Sequence, residues 1–386
     1  MDRRNFLKTT IGALAASQIA SPTWAQGKPL KLGFLIPKSG PAGIFGPSSE
    51  TTTAMAIEEI NAAGGILGRQ VEALFGDAGG APSDTVQAAQ RLWRRDGVEA
   101  LIGQHDSASR EAVAAMLRGK LTYVYTPVNE GGYCHTNTYS LGETPDQQLA
   151  PVIPYLAKEH GLKKWYLIGN DYVWPRGTNA AAKTYIAETG GEIVGEEYHP
   201  FTVDNFDTSL TRIRESGADA VLITLVGGAS VTFNRAFASF GLDKQAIRLG
   251  TLIEENTLAG IGEANSNRMY STAGYFDALD TPAALAFRKT YYDRFGADAP
   301  VLNTLGEGCY EGAMALRAMF EAAGSTETDA VAAAANGVSY TGPRGTTTLS
   351  EGFAASDIYL ATAKGAVFEI VQRFEKVAPG NACTNG

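Results

Sequence analysis

Short apolar runs alternate with longer amphipathic stretches along almost the whole chain. Leu30 to Ile36 reads as a strand. Ser49 to Ala62 then places Ala56, Ile57 and Ile60 on one side and Glu58, Glu59 and Asn61 on the other, and Gly64-Gly65 stops the helix that this spacing predicts. Val71 to Phe75 is the next strand. Ser83 is the expected cap of a helix with Val86, Ala89 and Trp93 as its buried stripe, and Glu99 to Gly103 is a further strand. Such alternation implies βαβ units and a right-handed parallel sheet.

The rhythm then starts again. A helix is expected at Gln147 to His160, a strand at Lys164 to Ile168, a helix after Pro175, and a strand at Glu192 to Glu196. A helix around Leu210 to Ser216 follows, then a strand at Ala220 to Leu225, a helix through Phe240 and a strand near Arg248 to Leu252. This is a second lobe. Tyr270 to Phe276 reads as a return crossing, and the helices Pro282 to Phe295 and Thr304 to Ala323 are expected to pack on the first lobe. A third crossing near Tyr340 to Gly345 sends the last β segments to the second lobe. The expected division is residues 26–143 with 276–342, residues 144–275 with 343–378, and a tail at 379–386. Three thin crossings make a hinge, and a hinge lets a cleft close on a ligand.

The stretch Gly103 to Gly132 is where the ligand is expected. There a strand runs straight into a helix through Gln104, His105, Asp106 and Ser107, which presents unpaired backbone N–H groups and a positive dipole end. The next strand, Leu121 to Tyr125, ends at Thr126-Pro127. In open parallel sheets ligands sit beyond the carboxyl ends of strands, so both halves of this stretch point at one place. Asp106 or Ser107 equally reads as the helix cap, and one residue can do both jobs. Of the two tyrosines flanking Val124, Tyr125 is the one placed to look into a cleft.

Composition narrows the picture. At 386 residues the chain exceeds what one core usually organises. The first 25 residues, with Arg3-Arg4 ahead of a mildly apolar segment and a small-residue end at Ala25, read as a twin-arginine export signal; its apolar core is too short to span a bilayer. Removing it subtracts a net +2 and takes the formal charge from −9 to −11. No clustered Lys and Arg remain, which argues against nucleic acid. Of the three cysteines, Cys309 shares a helix face with Leu305, Leu316 and Phe320 and is expected to be a buried thiol. Cys134 and Cys383 are expected to pair and pin the tail.

The segments KLGFLIPKSGPAGIFG (Lys31 to Gly46), NAAGGILGR (Asn61 to Arg69), DYVWPRGTN (Asp171 to Asn179) and GPRGT (Gly342 to Thr346) carry a family resemblance. Together they resemble the periplasmic solute-binding proteins of type I, the Leu/Ile/Val-binding group, over nearly the whole mature chain. DYVWPR and NEGG (Asn129 to Gly132) are most similar to the branch that binds urea and short amides. The resemblance implies an α/β fold of two Rossmann-like lobes joined by a three-segment hinge, no cofactor, and a monomer in the periplasm serving an ABC permease. It also implies a ligand set. In the first lobe this is His105 and Ser107, with Asp106 between them, then Tyr125, Thr126 and Pro127. In the second it is Tyr172 or Trp174, the Val226-Gly227-Gly228 turn, and Glu254, matching the acid that amino-acid binders set against an α-ammonium. His105 and Asn129 depart from the amide branch, so urea or acetamide is not carried over as the ligand.

The expected function is the solute-binding component of an ABC importer, taking a small amide, a urea-like compound or a branched-chain amino acid. An alternative is a ligand sensor of the same fold binding an aromatic acid or amide, because Tyr125, Tyr172, Trp174, Tyr275 and Phe276 also suit the walls of a pocket for a flat ring. An amide hydrolase is the weakest reading. A G-x-S-x-G elbow is absent, consecutive His105, Asp106 and Ser107 cannot form a relay, and no histidine spacing makes a metal site.

Overall fold

The structure, a computed structural model, describes residues 27–380; the predicted export signal and Cys383 lie outside them. From the N-terminal side, β1 (Leu30–Ile36), β2 (Val71–Asp77), β3 (Ala100–Gly103), β4 (Thr122–Tyr125) and β5 (Thr138–Ser140) form the first lobe. The second holds β6 (Lys164–Asn170), β7 (Glu192–His199), β8 (Ala220–Thr224), β9 (Ile247–Gly250) and β10 (Met269–Ala273). Next come β11 (Ser339–Gly342), β12 (Gly345–Ser350) and β13 (Phe353–Ala354), then β14 (Ser356–Lys364) and β15 (Val367–Val377).

One sheet runs β11-β12-β13-β5-β4-β3-β1-β2 and the other β15-β14-β10-β9-β8-β6-β7. Their middles are parallel, as the alternating pattern predicts, and helices cover both faces, which is why β3, β4 and β8 are buried at every position. The sheets as a whole are mixed, however. β12 pairs antiparallel with β13 and β11 with β12, while β14 pairs antiparallel with β10 and β15 with β14.

Two further differences from the sequence pattern bear on the hinge. Tyr270 to Phe276 splits into β10, the last parallel strand of the second lobe, and a crossing that begins at Gly274. The third crossing comes later than 342/343, because β12 and β13 stay with the first lobe and the chain passes over only between Ala354 and Ser356. The Pro343-Arg344 break there is the turn of a hairpin whose Thr-rich arms lack an apolar run. The helix expected from Gln147 to His160 is also broken, at Pro151, into Pro145–Gln148 and Val152–His160.

The crossings are pinned by buried charge. Glu143 on the first accepts from the backbone N–H of Gly274 on the second (2.9 Å) and pairs with Arg344 (3.2 Å). Arg344 Nε also donates to Glu311 (2.9 Å), on the helix Thr304–Ala323. Gln147 reaches the carbonyls of Ala354 and Val377, both at 3.0 Å, and so holds the third crossing to the first. Cys309 is the buried free thiol expected of it. Cys134 is engaged in a disulfide; the partner predicted for it, Cys383, lies outside the described residues.

Candidate functional site

A cleft of about 580 Å³ opens between the lobes, and nearly all of its wall comes from segments just beyond the carboxyl ends of strands. The first lobe supplies Pro41 and Phe45 after β1, Gly79 to Pro82 after β2, Gln104 to Asp106 after β3, and Tyr125, Pro127 and Val128 at and after the end of β4. The second supplies Tyr172 and Trp174 after β6, Phe201 after β7, Val226 after β8 and Leu252 after β9. Aromatic and aliphatic groups dominate, and no lysine or arginine belongs to the wall.

The polar groups of the first lobe are tightly organised. The His105 ring lies 3.0 Å from the carbonyl of Asp106 through Nδ1 and 2.9 Å from the Tyr123 hydroxyl through Nε2. A carbonyl only accepts, so Nδ1 carries the proton and Nε2 accepts from Tyr123. Burial lowers the pKa of His105, in keeping with this neutral form. Tyr125 donates to the carbonyl of His105 (2.7 Å) and fixes the turn that sets His105, Asp106 and Ala108 on the cleft wall. Asp106 is the cap of the helix Ser107–Leu117: one oxygen accepts from the N–H of Ser109 (2.9 Å) and the other from its hydroxyl (2.6 Å). Its side chain is only half-buried and remains on the wall.

On the second lobe Tyr172, Trp174 and Phe201 form one aromatic corner, with Tyr172 6.1 Å from Trp174 and 5.0 Å from Phe201 between ring centres. Trp174 is 1% exposed and its indole N–H has no partner among the described residues. The lobes meet at the mouth, where the N–H of Gly228 donates to the carbonyl of Pro41 and Asn256 to that of Ile44, each at 3.3 Å.

Known proteins share this architecture. The sequence profile of a family described as "Periplasmic binding protein" matches residues 29–366. The chain belongs to that family. Among curated periplasmic binding protein relatives, Leu/Ile/Val-binding protein homolog 6 of Brucella melitensis is 27% identical over 347 residues, which is 88% of this chain and 87% of that one. Among solved structures, a solute-binding protein of an ABC transporter from Rhodopseudomonas palustris, in complex with p-hydroxybenzoic acid, has a TM-score of 0.81 at 23% identity, covering 91% of this chain and 98% of that one. A leucine-binding protein from Thermotoga maritima has a TM-score of 0.80 at 20% identity, covering 90% and 99%. The relatives are binding proteins of ABC transporters and not enzymes. The family's compartment is the periplasm, and no described helix is long and apolar enough to cross a membrane.

Within this periplasmic binding protein, the structure brings seven of the predicted ligand positions together on the wall: His105, Asp106, Tyr125, Pro127, Tyr172, Trp174 and Val226. Ser107, Thr126, Gly227, Gly228, Glu254, Tyr275 and Phe276 lie off it. The Ser107 hydroxyl accepts from Arg110 (3.3 Å), and the Thr126 hydroxyl donates to the carbonyl of Gly103 (3.4 Å) under the helix Thr304–Ala323. Gly227 abuts Pro41 across the mouth. Glu254 caps the helix Glu255–Ile261, accepting from the N–H groups of Asn256 (2.8 Å) and Thr257 (2.7 Å) and from the Thr257 hydroxyl (2.7 Å). Tyr275 packs edge-on against Phe287 beside the hinge. Asn129 braces its own loop through Ser140 and Gly142.

Phe45, Phe201, Leu252 and Leu305 also line the cleft, without having been singled out from sequence. Phe45 had a signal, since it closes the first family-like segment. An isolated apolar residue one or two places past a strand, such as Phe201 or Leu252, carries none.

Proposed function

We propose that this periplasmic binding protein is exported by the twin-arginine route, serves an ABC import permease, and encloses a flat aromatic solute between its lobes. The observation that carries this reading is the wall itself. Tyr125, Tyr172, Trp174, Phe201 and Phe45 surround a volume inside the roughly 300–1,000 Å³ range of small-molecule pockets, with few polar groups to satisfy. The p-hydroxybenzoic acid complex of a similar fold supports a ring-sized ligand in this place.

A branched-chain amino acid is the second reading, favoured by the names of the curated relatives. It calls for an acid facing the α-ammonium and a positive group for the α-carboxylate; Glu254, expected to supply the acid, is consumed by its own helix, and although Asp106 could take an ammonium, no lysine or arginine on the wall takes the carboxylate. Urea or acetamide would leave most of the cleft unfilled.

The test is calorimetry and Trp174 fluorescence on the mature protein with aromatic compounds, leucine, valine, urea and acetamide. Ring compounds are expected to bind and to perturb Trp174, and Trp174→Ala to weaken them at least tenfold. Binding of leucine or urea with no response to any ring compound would refute the proposal.

A further inference from the structure

The charge on the cleft wall narrows the solute class further, on the reading of the cleft as an aromatic site. A helix start beside an aromatic wall ordinarily invites a carboxylate, because its free N–H groups and dipole favour an anion. Here that place is already taken. Asp106 sets its own carboxylate over the first turn of Ser107–Leu117, bound by the backbone N–H and the hydroxyl of Ser109, while staying on the cleft wall. Both partners are neutral donors, so apart from the helix dipole nothing that binds it carries a compensating charge.

No cation on the wall offsets it. His105 is neutral and has both ring nitrogens engaged. Arg110, one turn into the same helix, donates to the Ser107 hydroxyl (3.3 Å) and lies 5.1 Å from the Tyr125 ring, but it is fully buried behind the wall, where Glu111 and Glu130 both pair with it and it stacks on the Tyr133 ring at 3.5 Å. Across the cleft, the Tyr172, Trp174 and Phe201 corner adds aromatic rings and no positive charge.

We infer that the cleft selects aromatic solutes that are neutral or cationic, with an O–H, N–H or ammonium donor turned toward Asp106, and discriminates against aromatic carboxylates. A donor there uses the lone pairs that Ser109 leaves free on Asp106. A cationic head gains further where it meets the face of one of the aromatic rings on the wall. A carboxylate in the same pose adds a second negative charge in a partly desolvated space. Asp106 thus becomes a specificity-determining residue and not a cap alone.

The experiment compares 4-hydroxybenzamide, tyramine and 4-hydroxybenzoate by calorimetry on the mature protein and on Asp106→Asn, which keeps a good cap. The native protein is expected to bind the amide and the amine at least tenfold tighter than the carboxylate. Asp106→Asn should weaken tyramine, tighten 4-hydroxybenzoate and so narrow the gap, with an unchanged melting temperature showing an intact helix. Asp106→Ser serves as the second capping variant if the first does not fold. Equal or tighter binding of 4-hydroxybenzoate by the native protein overturns this inference and leaves the aromatic reading standing. Binding of leucine or urea with none of the three rings bound overturns both.

Discussion

Gly227→Ala separates closure of the lobes from contact with the solute. Gly227 has φ +52° at the start of the helix Gly227–Ser239, and a Cβ built on it would overlap the carbonyl oxygen of Pro41 on the other lobe. Two costs follow, and they fall on different states. The left-handed backbone costs a non-glycine residue roughly 1–2 kcal/mol, whether the lobes are open or closed, so it lowers stability alone. The overlap exists only when the lobes meet. Relieving it widens the mouth by on the order of 1 Å and breaks the Gly228 to Pro41 hydrogen bond, whose net worth is about 0.5–1.5 kcal/mol. With lost packing added, closure is disfavoured by about 2 kcal/mol, or roughly thirtyfold in affinity, because the competent state is less populated. Calorimetry measures this, and scattering with saturating ligand should show a less compact bound form. Gly228→Ala is the control, since its Cβ meets open space. Native affinity in a folded Gly227→Ala protein would refute the reasoning.

Other substitutions test the roles the structure assigns. Glu254→Gln removes the charge from a cap and not from a ligand contact, so urea denaturation should show a loss of about 1 kcal/mol while affinity for ring compounds stays native; a large affinity loss would return Glu254 to the site. At the hinge, burial first, and the neighbouring Glu311 carboxylate against the pull of Arg344, push Glu307 well above the ordinary carboxylate value. A raised carboxylate contributes stability that is complete below its unfolded value and lost as pH rises through its folded one. Melting temperature measured from about pH 5 upward should therefore fall more steeply for the native protein than for Glu307→Gln, and parallel curves would count against a protonated Glu307. Finally, mass mapping without reductant should link Cys134 to Cys383 and leave Cys309 alkylated, whereas two free thiols at 134 and 383 would remove the predicted staple.

Much of the framework follows from the order of residues alone. β1 and the helices Pro282–Phe295 and Thr304–Ala323 have the bounds that the pattern predicts, because an apolar run or a 3.6 period is a property of near neighbours. The aromatic candidate Tyr125 was legible for a related reason, since strand ends in a parallel sheet face the cleft wherever the sheet lies, whereas Tyr172 and Trp174 came with the family-like segment DYVWPRGTN. What a polar side chain does there is another matter. Ser107, Thr126, Glu254 and Asn129 sit in the right segments, yet each spends its hydrogen bonds elsewhere: Ser107 and Glu254 on Arg110 and Thr257, three residues on at the start of their own helices, and Thr126 and Asn129 on Gly103 and Ser140, which only the folded chain brings into reach. The antiparallel edges and the late third crossing were likewise settled by long-range pairing, with Phe353 joining Ser140 across more than two hundred residues. Local periodicity sets where elements begin and end; the competition of other atoms, near and distant, for each donor and acceptor decides which of them is left for a ligand.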